Sequence, residues 1–259
     1  MISMIERSNV LNEAFVIVED DSTNESLADI ASRYQADITQ SYIPYGMHAG
    51  YIFSYKTFSI IHVDPAIEQI IGISAENVLS SPMQVVFSEI IAPEHTVSAV
   101  RFSKLAFETI LANRNRNVAV NVEFNIYRKK TDLRRILCQY RILALNTKGY
   151  PLLLQGHFSD ITHLGRLDAS QLTILVDNQV KVHEKSTRNE LLLGLNLDIT
   201  DREIDILELR RRGLKVKEIA KIVFLSHLTV YAMLRDIKKK TGLEILPLLT
   251  LLRSKGILD

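Results

Sequence analysis

Residues 200–242 read TDREIDILELRRRGLKVKEIAKIVFLSHLTVYAMLRDIKKKTG and carry the start and stop signals of three consecutive helices. Thr200 followed by Glu203 forms a capping box, in which a hydroxyl and a carboxylate satisfy free amides at a helix start. Gly213 is suited to end that helix, and Ser226 is suited to cap a third helix after a short second one. Two helices joined by a short turn predict a helix-turn-helix.

The third predicted helix, about 226–241, has two faces of different chemistry. At about 100° per residue, Val230, Leu234 and Ile237 form one apolar stripe, which we expect in the core. The opposite face carries Leu228, Ala232, Arg235 and Lys239, with Tyr231 and Lys238 at its flank. A small residue permits close approach to a major groove, arginine can pair with guanine O6 and N7, and the Lys238–Lys240 run can neutralise phosphates. A bundle helix would explain the apolar stripe but not the lysine run.

The charge of the chain is divided unevenly along its length. From Ile199 to Asp259 there are thirteen Lys and Arg against eight Asp and Glu, a balance of +5, so the rest of the chain carries −4 within an overall +1. A basic segment on an acidic body indicates that this segment meets a polyanion.

The segment 198–258 resembles the LuxR/NarL-type helix-turn-helix of bacterial transcription regulators. The matching elements stand in the family's order: T-D-R-E at 200–203, K-E-I-A at 217–220, L-S at 225–226, T-V at 229–230, I-K-K-K-T-G at 237–242 and G-I-L at 256–258. The resemblance implies a four-helix domain that binds double-stranded DNA, as a homodimer, in a transcription regulator. A contact with RNA polymerase is a further expectation for such a regulator.

The same resemblance assigns roles to individual positions. It implies base contacts from Tyr231, Ala232 and Arg235, and backbone contacts from Ser226, Thr229, Lys217, Lys238 and Lys239. In this family the fourth helix, about 244–254 here, often mediates dimerisation, for which Ile245, Leu248, Leu249 and Leu252 are the candidates. Packing of these residues inside the domain is an equal explanation.

Some positions depart from the family pattern and keep a second hypothesis open. Tyr231 and Met233 stand where the family usually has Lys or Asn and then His, and Arg210 and Arg211 occupy positions that are commonly apolar or small. The alternative is a signalling adaptor with a degenerate helix-turn-helix that acts through protein contacts. The discriminating property is salt dependence, because true DNA binding weakens steeply as salt rises.

The middle of the chain predicts an antiparallel sheet with helices grouped on one face. Three strand-like segments, about 120–128, 135–145 and 152–158, are joined by K-K-T-D and N-T-K-G turns. With two earlier short strands and a helix at about 98–112, residues 46–163 resemble a PAS sensor domain. The resemblance rests on Asp64-Pro65 before an amphipathic helix ending at Gly72, on A-P-E-H at 92–95, and on the closing D-I-T at 160–162.

An opposing signal lies near the N-terminus. FVIVEDDS at 15–22, an apolar strand ending in acids, is how a phosphoacceptor receiver domain begins, and Asp64 would then be the acceptor. No Lys-Pro follows Asp64, and three consecutive strands contradict the alternating pattern of a receiver. We therefore interpret 1–45 as a strand and helix extension, with the helix at about 25–38, and keep the receiver-type response regulator as an alternative.

The remaining expectations follow from composition. Residues 164–197 read as a hairpin-containing linker that turns at Asn178-Gln179, and 198–259 as the DNA-binding domain. No apolar run approaches a membrane span, and the single Cys138 indicates a reducing, cytoplasmic setting. No metal spacing, phosphate-cradling loop or nucleophile constellation supports an enzyme, and Cys138 in a strand argues against a flavin adduct. No cofactor is predicted, although a small molecule in the PAS pocket fits the resemblance, and His95 is expected on the surface.

Overall fold

The computed structural model describes residues 47–258, except residues 115, 147 and 166 and the side chain of Gln84. The predicted extension at 1–45 lies outside the described residues. The described chain divides after Ser186 into two compact units. Residues 47–186 are called the sensor unit here after their resemblance to PAS sensor domains, and the C-terminal unit begins at Thr187.

A single antiparallel sheet organises the sensor unit. Its strands are β1 (His48–Ser54), β2 (Ser59–Val63), β3 (Val118–Arg128), β4 (Asp132–Leu145), β5 (Pro151–Asp160), β6 (Gln171–Val176) and β7 (Gln179–Lys185). They lie side by side in the order β2-β1-β5-β4-β3-β6-β7. The first five strands, with helices inserted between β2 and β3, have the arrangement of a PAS domain. An antiparallel sheet excludes the receiver fold for this unit.

The helices of this unit occupy the segment between β2 and β3. They are α1 (Ile67–Ile71), α2 (Ala75–Ser80), α3 (Met83–Ile90) and α4 (Thr96–Ala112), with 3-10 turns at Pro93–His95 and Thr162–Leu164. The helices pack on one face of the sheet, where Ile70, Val86 and Phe107 share a core with strand residues such as Phe124 and Leu154. The prediction of helices on one face of an antiparallel sheet is confirmed.

The segment 164–197 differs from the linker predicted for it. Its hairpin extends the sheet from five strands to seven, because β6 pairs with β3 from Val118 opposite Val176 to Glu123 opposite Gln171. The tight turn falls at Asp177 and Asn178, whose φ values of 50° and 64° lie in the left-handed region that such turns require. The hairpin therefore belongs to the sensor unit.

The C-terminal unit is entirely helical among its described residues. Its helices are α5 (Arg188–Gly194), α6 (Asp201–Arg211), α7 (Val216–Ile222), α8 (His227–Thr241) and α9 (Ile245–Ser254). The four predicted helices are present with bounds within two residues of those expected. A fifth, α5, precedes them and buries Leu191 and Leu192 in their shared core.

Membrane insertion of a helix has no support in the part of the chain that the structure describes. None of its helices combines the length and the apolarity that crossing a lipid bilayer requires.

Candidate DNA-binding surface and sensor cavity

A buried carboxylate fixes the start of α6 and ties it to α8. The Thr200 amide and hydroxyl donate to Glu203 Oε2 at 2.8 and 2.9 Å, and Lys240 Nζ donates to Glu203 Oε1 at 3.1 Å. Burial opposes ionisation of Glu203, but these hydrogen bonds outweigh it and lower the pKa of the carboxyl. Lys240 is therefore engaged inside the domain, unlike the lysine that precedes it.

Helix α8 is anchored by two fully buried residues and one cap. Val230 and Ile237 are 0% exposed, on the stripe expected to face the core. At the helix start the Ser226 Oγ accepts a hydrogen bond from the Thr229 amide at 3.0 Å, which satisfies one of the free amides. Gly242 ends the helix at φ 68°. The opposite face is thereby directed outward.

The residues predicted to read bases lie on that outward face. The Arg235 side chain is 68% exposed, and its one ion-pair contact within the described chain is a long 3.8 Å approach to Asp236. Tyr231 is 58% exposed and Ala232 is partly buried between them. A guanidinium held loosely in water is free to take a bidentate partner such as a guanine edge.

The residues predicted to contact the DNA backbone are also accessible. Lys217 on α7 and Ser226, Thr229 and Lys239 on or beside α8 are all exposed. Lys238 forms an ion pair with Glu244, but both side chains are more than half exposed, so exchanging that partner for a phosphate costs little.

The arginine cluster at the end of α6 is already occupied. Arg211 Nη2 and Arg212 Nε donate to Glu208 Oε1 at 2.6 and 3.0 Å, and Arg210 Nη1 donates to the Leu214 carbonyl at 2.9 Å. The two arginines on Glu208 hold the pKa of its carboxyl at about 2, below its ordinary value of 4.5. Arg210 and Arg211, which depart from the expected family pattern, thus both have hydrogen-bond partners within their own domain.

The leucines predicted for dimerisation lie in the core of their own domain. Leu248 and Leu252 are 0% exposed, Leu249 is 9% exposed, and all three pack with α5, α6 and α8. Ile245 is partly buried, whereas its neighbour Leu246 is 74% exposed. Packing inside the domain accounts for Leu248 and Leu252, which have no accessible surface. A role of the four predicted residues in dimerisation stays a prediction.

Two exposed apolar residues, one in the turn before α8 and one in its first turn, were not among the predicted site residues. Phe224 is 92% exposed with φ 56°, and Leu228 is 68% exposed in the first turn of α8. A signal for Leu228 was present, because it falls on the same helical face as Arg235. Phe224 has no such local signal, since its exposure follows from the path of the turn.

The sensor unit encloses a cavity of about 90 Å³ between the sheet and helices α3 and α4. Its lining is mainly aromatic and apolar: Tyr51, Phe53, Tyr55, Met83, Phe87, Ile91, Ala99, Phe102, Ser103, Val122, Phe124, Cys138, Tyr140 and Leu154. Strand alternation places the strand members of this lining on the helix-covered face, so the strands carried a signal for them. Which of them border the cavity depends on the packing of α3 and α4.

The polar groups of the cavity are neutral. Tyr51 Oη and Cys138 Sγ lie 3.3 Å apart in a buried hydrogen bond. Burial raises the pKa of the Cys138 thiol to about 12, an effect that the Tyr51 hydroxyl partly offsets. Burial also raises the pKa values of Tyr51 and Tyr140 well above their ordinary value of 10.0. The cavity therefore offers apolar surface and uncharged hydrogen-bonding groups, which suits an uncharged ligand.

The placement of His95 corrects the expectation of a surface histidine. It is 1% exposed, and its ring nitrogens lie 2.8 Å from Ser170 Oγ and 3.0 Å from Asn125 Nδ2. Asn125 also donates to the Leu167 carbonyl at 2.6 Å. The histidine thus belongs to a buried polar cluster that joins the start of α4 to β3 and to the segment before β6.

Asp64 has a structural role in the sensor unit. Its Oδ1 accepts a hydrogen bond from the Ala66 amide at 2.9 Å and so shapes the turn into α1. This arrangement, together with the antiparallel sheet, leaves the receiver hypothesis without support in the described residues.

One region of the chain matches a known protein family. Residues 198–248 match the family described as "Bacterial regulatory proteins, luxR family". No curated protein matches the chain.

Several solved structures resemble the chain at low identity. A sensory box histidine kinase/response regulator from Burkholderia thailandensis is 20% identical, with 51% of this chain and 86% of that chain covered and a TM-score of 0.35. The VqmA dimer of Vibrio cholerae is 16% identical, with 91% of each chain covered and a TM-score of 0.32. The phage VqmA–DPO complex is 16% identical, with 90% of this chain and 93% of that chain covered and a TM-score of 0.32.

The assignment rests on the family match and on the architecture. The matched residues span α6 to α8 and the start of α9, and the strand order of the preceding unit is that of a PAS domain. Residues 198–248 of the chain thus form a luxR-family helix-turn-helix region, which follows a PAS-like unit.

Proposed function

We propose that the protein is a cytoplasmic transcription regulator that binds specific double-stranded DNA as a homodimer and whose PAS-like unit senses a signal. The observation that carries the proposal is the outward face of α8. Within the luxR-family match, it presents the 68% exposed Arg235 beside Tyr231 and Ala232, while Val230 and Ile237 hold the other face in the core. Such a helix can enter a major groove with its side chains against base edges.

Base reading and backbone positioning fall to different residues in this proposal. Arg235 pairs with a guanine, and Tyr231 and Ala232 contact neighbouring base edges. Lys217, Ser226, Thr229, Lys238 and Lys239 contact phosphates and fix the register of α8 in the groove.

The test compares Arg235→Ala with Arg253→Ala, an exposed arginine in the last turn of α9. On a duplex selected by the wild-type protein from a random pool, Arg235→Ala should weaken binding by about 1–3 kcal/mol and relax selectivity at one base pair. Arg253→Ala should leave the selected sequence unchanged. Equal affinity and selectivity in both variants would remove Arg235 from base reading.

We place the dimer contact of the C-terminal unit on the exposed edge of α9. Leu246 is 74% exposed beside the partly buried Ile245, whereas the other apolar residues predicted for this contact support α9 from within. Sedimentation of Leu246→Glu should show more monomer than the wild type. An unchanged dimer would place the contact on another element.

The sensor cavity supports a small, uncharged signal molecule. Its volume of about 90 Å³ is smaller than the ~150 Å³ of an apolar cavity that accepts benzene, so modest widening is needed for a ring-sized ligand. Such a ligand would shift the population between two dimer arrangements. Native mass spectrometry of the protein from its own host should show a dimer with added mass, and a ligand-free dimer would instead assign the signal to a partner protein.

The adaptor remains a second candidate because of two observations. Arg211 and Arg212 at the end of α6 pair with Glu208, and Tyr231 and Met233 replace residues usual in the family. Absence of duplex binding at low salt would favour the adaptor.

A further inference from the structure

Exposed apolar side chains are concentrated at the turn between α7 and α8. Within ten residues the described chain exposes Ile222 by 50%, Phe224 by 92%, Leu228 by 68% and Tyr231 by 58%. Exposed apolar groups that cluster beside polar ones mark interaction sites more often than isolated ones do. Within this cluster, the position of Leu228 on α8 indicates what these exposed side chains contact.

Leu228 lies on the same face of α8 as the residue proposed to read guanine. Leu228 and Arg235 are seven positions apart, which is about 700°, or 20° short of two full turns. The separation along the helix axis is about 10 Å at 1.5 Å per residue. This equals about three base pairs at 3.4 Å each, so the two side chains reach different positions of one half-site.

The net charge of α7 and α8 indicates the kind of partner that contacts Leu228. Residues 216–241 contain six Lys and Arg against two acids, and Lys217, Lys221 and Lys239 are all exposed. An exposed apolar side chain on a helix pair that carries this excess of cations fits a polyanion that presents apolar groups. Duplex DNA meets both conditions in its major groove, where the thymine C5 methyl is the apolar group available to a side chain.

We propose that Leu228 is a specificity-determining residue that contacts a thymine methyl, about three base pairs from the guanine that Arg235 reads. The inference rests on the proposed function and adds the chemistry of the preferred site. Leu228 lies in the first turn of α8, the part of a recognition helix that reaches base edges. Its Ser226 cap holds that turn in place through the 3.0 Å bond from Thr229.

The experiment removes the methyl group from the DNA and the leucine from the protein. The full chain first selects duplexes from a random pool, and each thymine of the selected site is then replaced singly by uracil, which lacks only the methyl. The variants are Leu228→Ala and, as a matched control, Leu193→Ala, whose leucine is 58% exposed on α5. Because Leu228 is largely exposed, its truncation should leave folding intact, which circular dichroism verifies.

At least one thymine per half-site should lose about fourfold in affinity on conversion to uracil, the effect of about one buried methyl group. That penalty should vanish in Leu228→Ala and persist in Leu193→Ala. A penalty that persists in Leu228→Ala, or the absence of any uracil-sensitive thymine in a site the protein binds, overturns the role of Leu228 and leaves the proposed function standing. Absence of duplex binding at low salt overturns both.

Discussion

Gly156 on β5 is the position where a single added carbon should disturb the sensor cavity most. A Cβ at this position would lie 2.3 Å from Cζ and 2.4 Å from Oη of Tyr51, far inside ordinary contact distance. Tyr51 stands directly opposite Gly156 in the register of β1 and β5, so its ring lies across the glycine. The residue is therefore required to be glycine because of the ring and not because of its backbone conformation.

The cost of Gly156→Ala can be built from the contacts that Tyr51 must give up. The ring stacks on Phe158 at a centroid distance of 4.8 Å and hydrogen-bonds Cys138 at 3.3 Å, so it cannot move without loss. Overpacking of a filled core costs about 1–3 kcal/mol, and loss of the hydrogen bond adds about 1 kcal/mol. We expect the free energy of unfolding of the sensor unit to fall by about 2–4 kcal/mol.

A double-mutant cycle with Tyr51→Ala separates this clash from a general intolerance of β5. In the Tyr51→Ala background the ring is absent, so Gly156→Ala should be neutral or stabilising by about 0.5–1 kcal/mol, the usual gain of alanine over glycine in a strand. Urea unfolding followed by circular dichroism measures all four proteins. An equal loss of stability in both backgrounds would refute the steric reasoning.

Three further outcomes follow from the C-terminal unit. Because the pKa of Glu208 is held at about 2, below its ordinary 4.5, its contribution to stability is complete above about pH 4.5 and is lost as the pH falls toward 2. In urea unfolding, the difference in free energy of unfolding between wild type and Glu208→Gln should be on the order of 1 kcal/mol at pH 7 and should shrink over that window. A difference that stays constant with pH would contradict this. Phe224→Gly should keep or raise the melting temperature, since it relieves about 1–2 kcal/mol of left-handed strain at an exposed site, and a clear drop would show that the phenyl ring supports the fold. Lys239→Ala should reduce the slope of log affinity against log salt by about 0.9. Lys240→Ala should change this slope much less, because the Lys240 ammonium is bound to Glu203. Equal reductions would show that Lys240 also reaches a phosphate.

The parts of the fold that could be predicted from sequence are those with local causes. The cap at Thr200 and Glu203, the Ser226 cap and the Gly242 stop lie within a few residues of the helix ends they define, and all three are present. The β3–β4 hairpin likewise turns at Lys129 and Lys130, both with positive φ.

The features that differ from expectation depend on partners far along the chain. The hairpin at 171–185 joins the sheet through the pairing of Val118 with Val176, which no local pattern encodes. His95 is buried because Ser170 and Asn125 complete its hydrogen bonds, and Ser170 lies 75 residues away. The leucines of α9 had two equal interpretations in the sequence, and only the packed core distinguishes accessible Leu246 from buried Leu248.

The most direct test of the central claim is the affinity of the full chain for its selected duplex, measured by fluorescence anisotropy from low to high salt. We predict a straight, steep fall of log affinity with log salt, at about 0.9 per neutralised phosphate, together with a clear preference for the selected sequence over a scrambled one at each salt concentration. Affinity that does not depend on salt, or no duplex binding at low salt, would contradict a DNA-binding regulator.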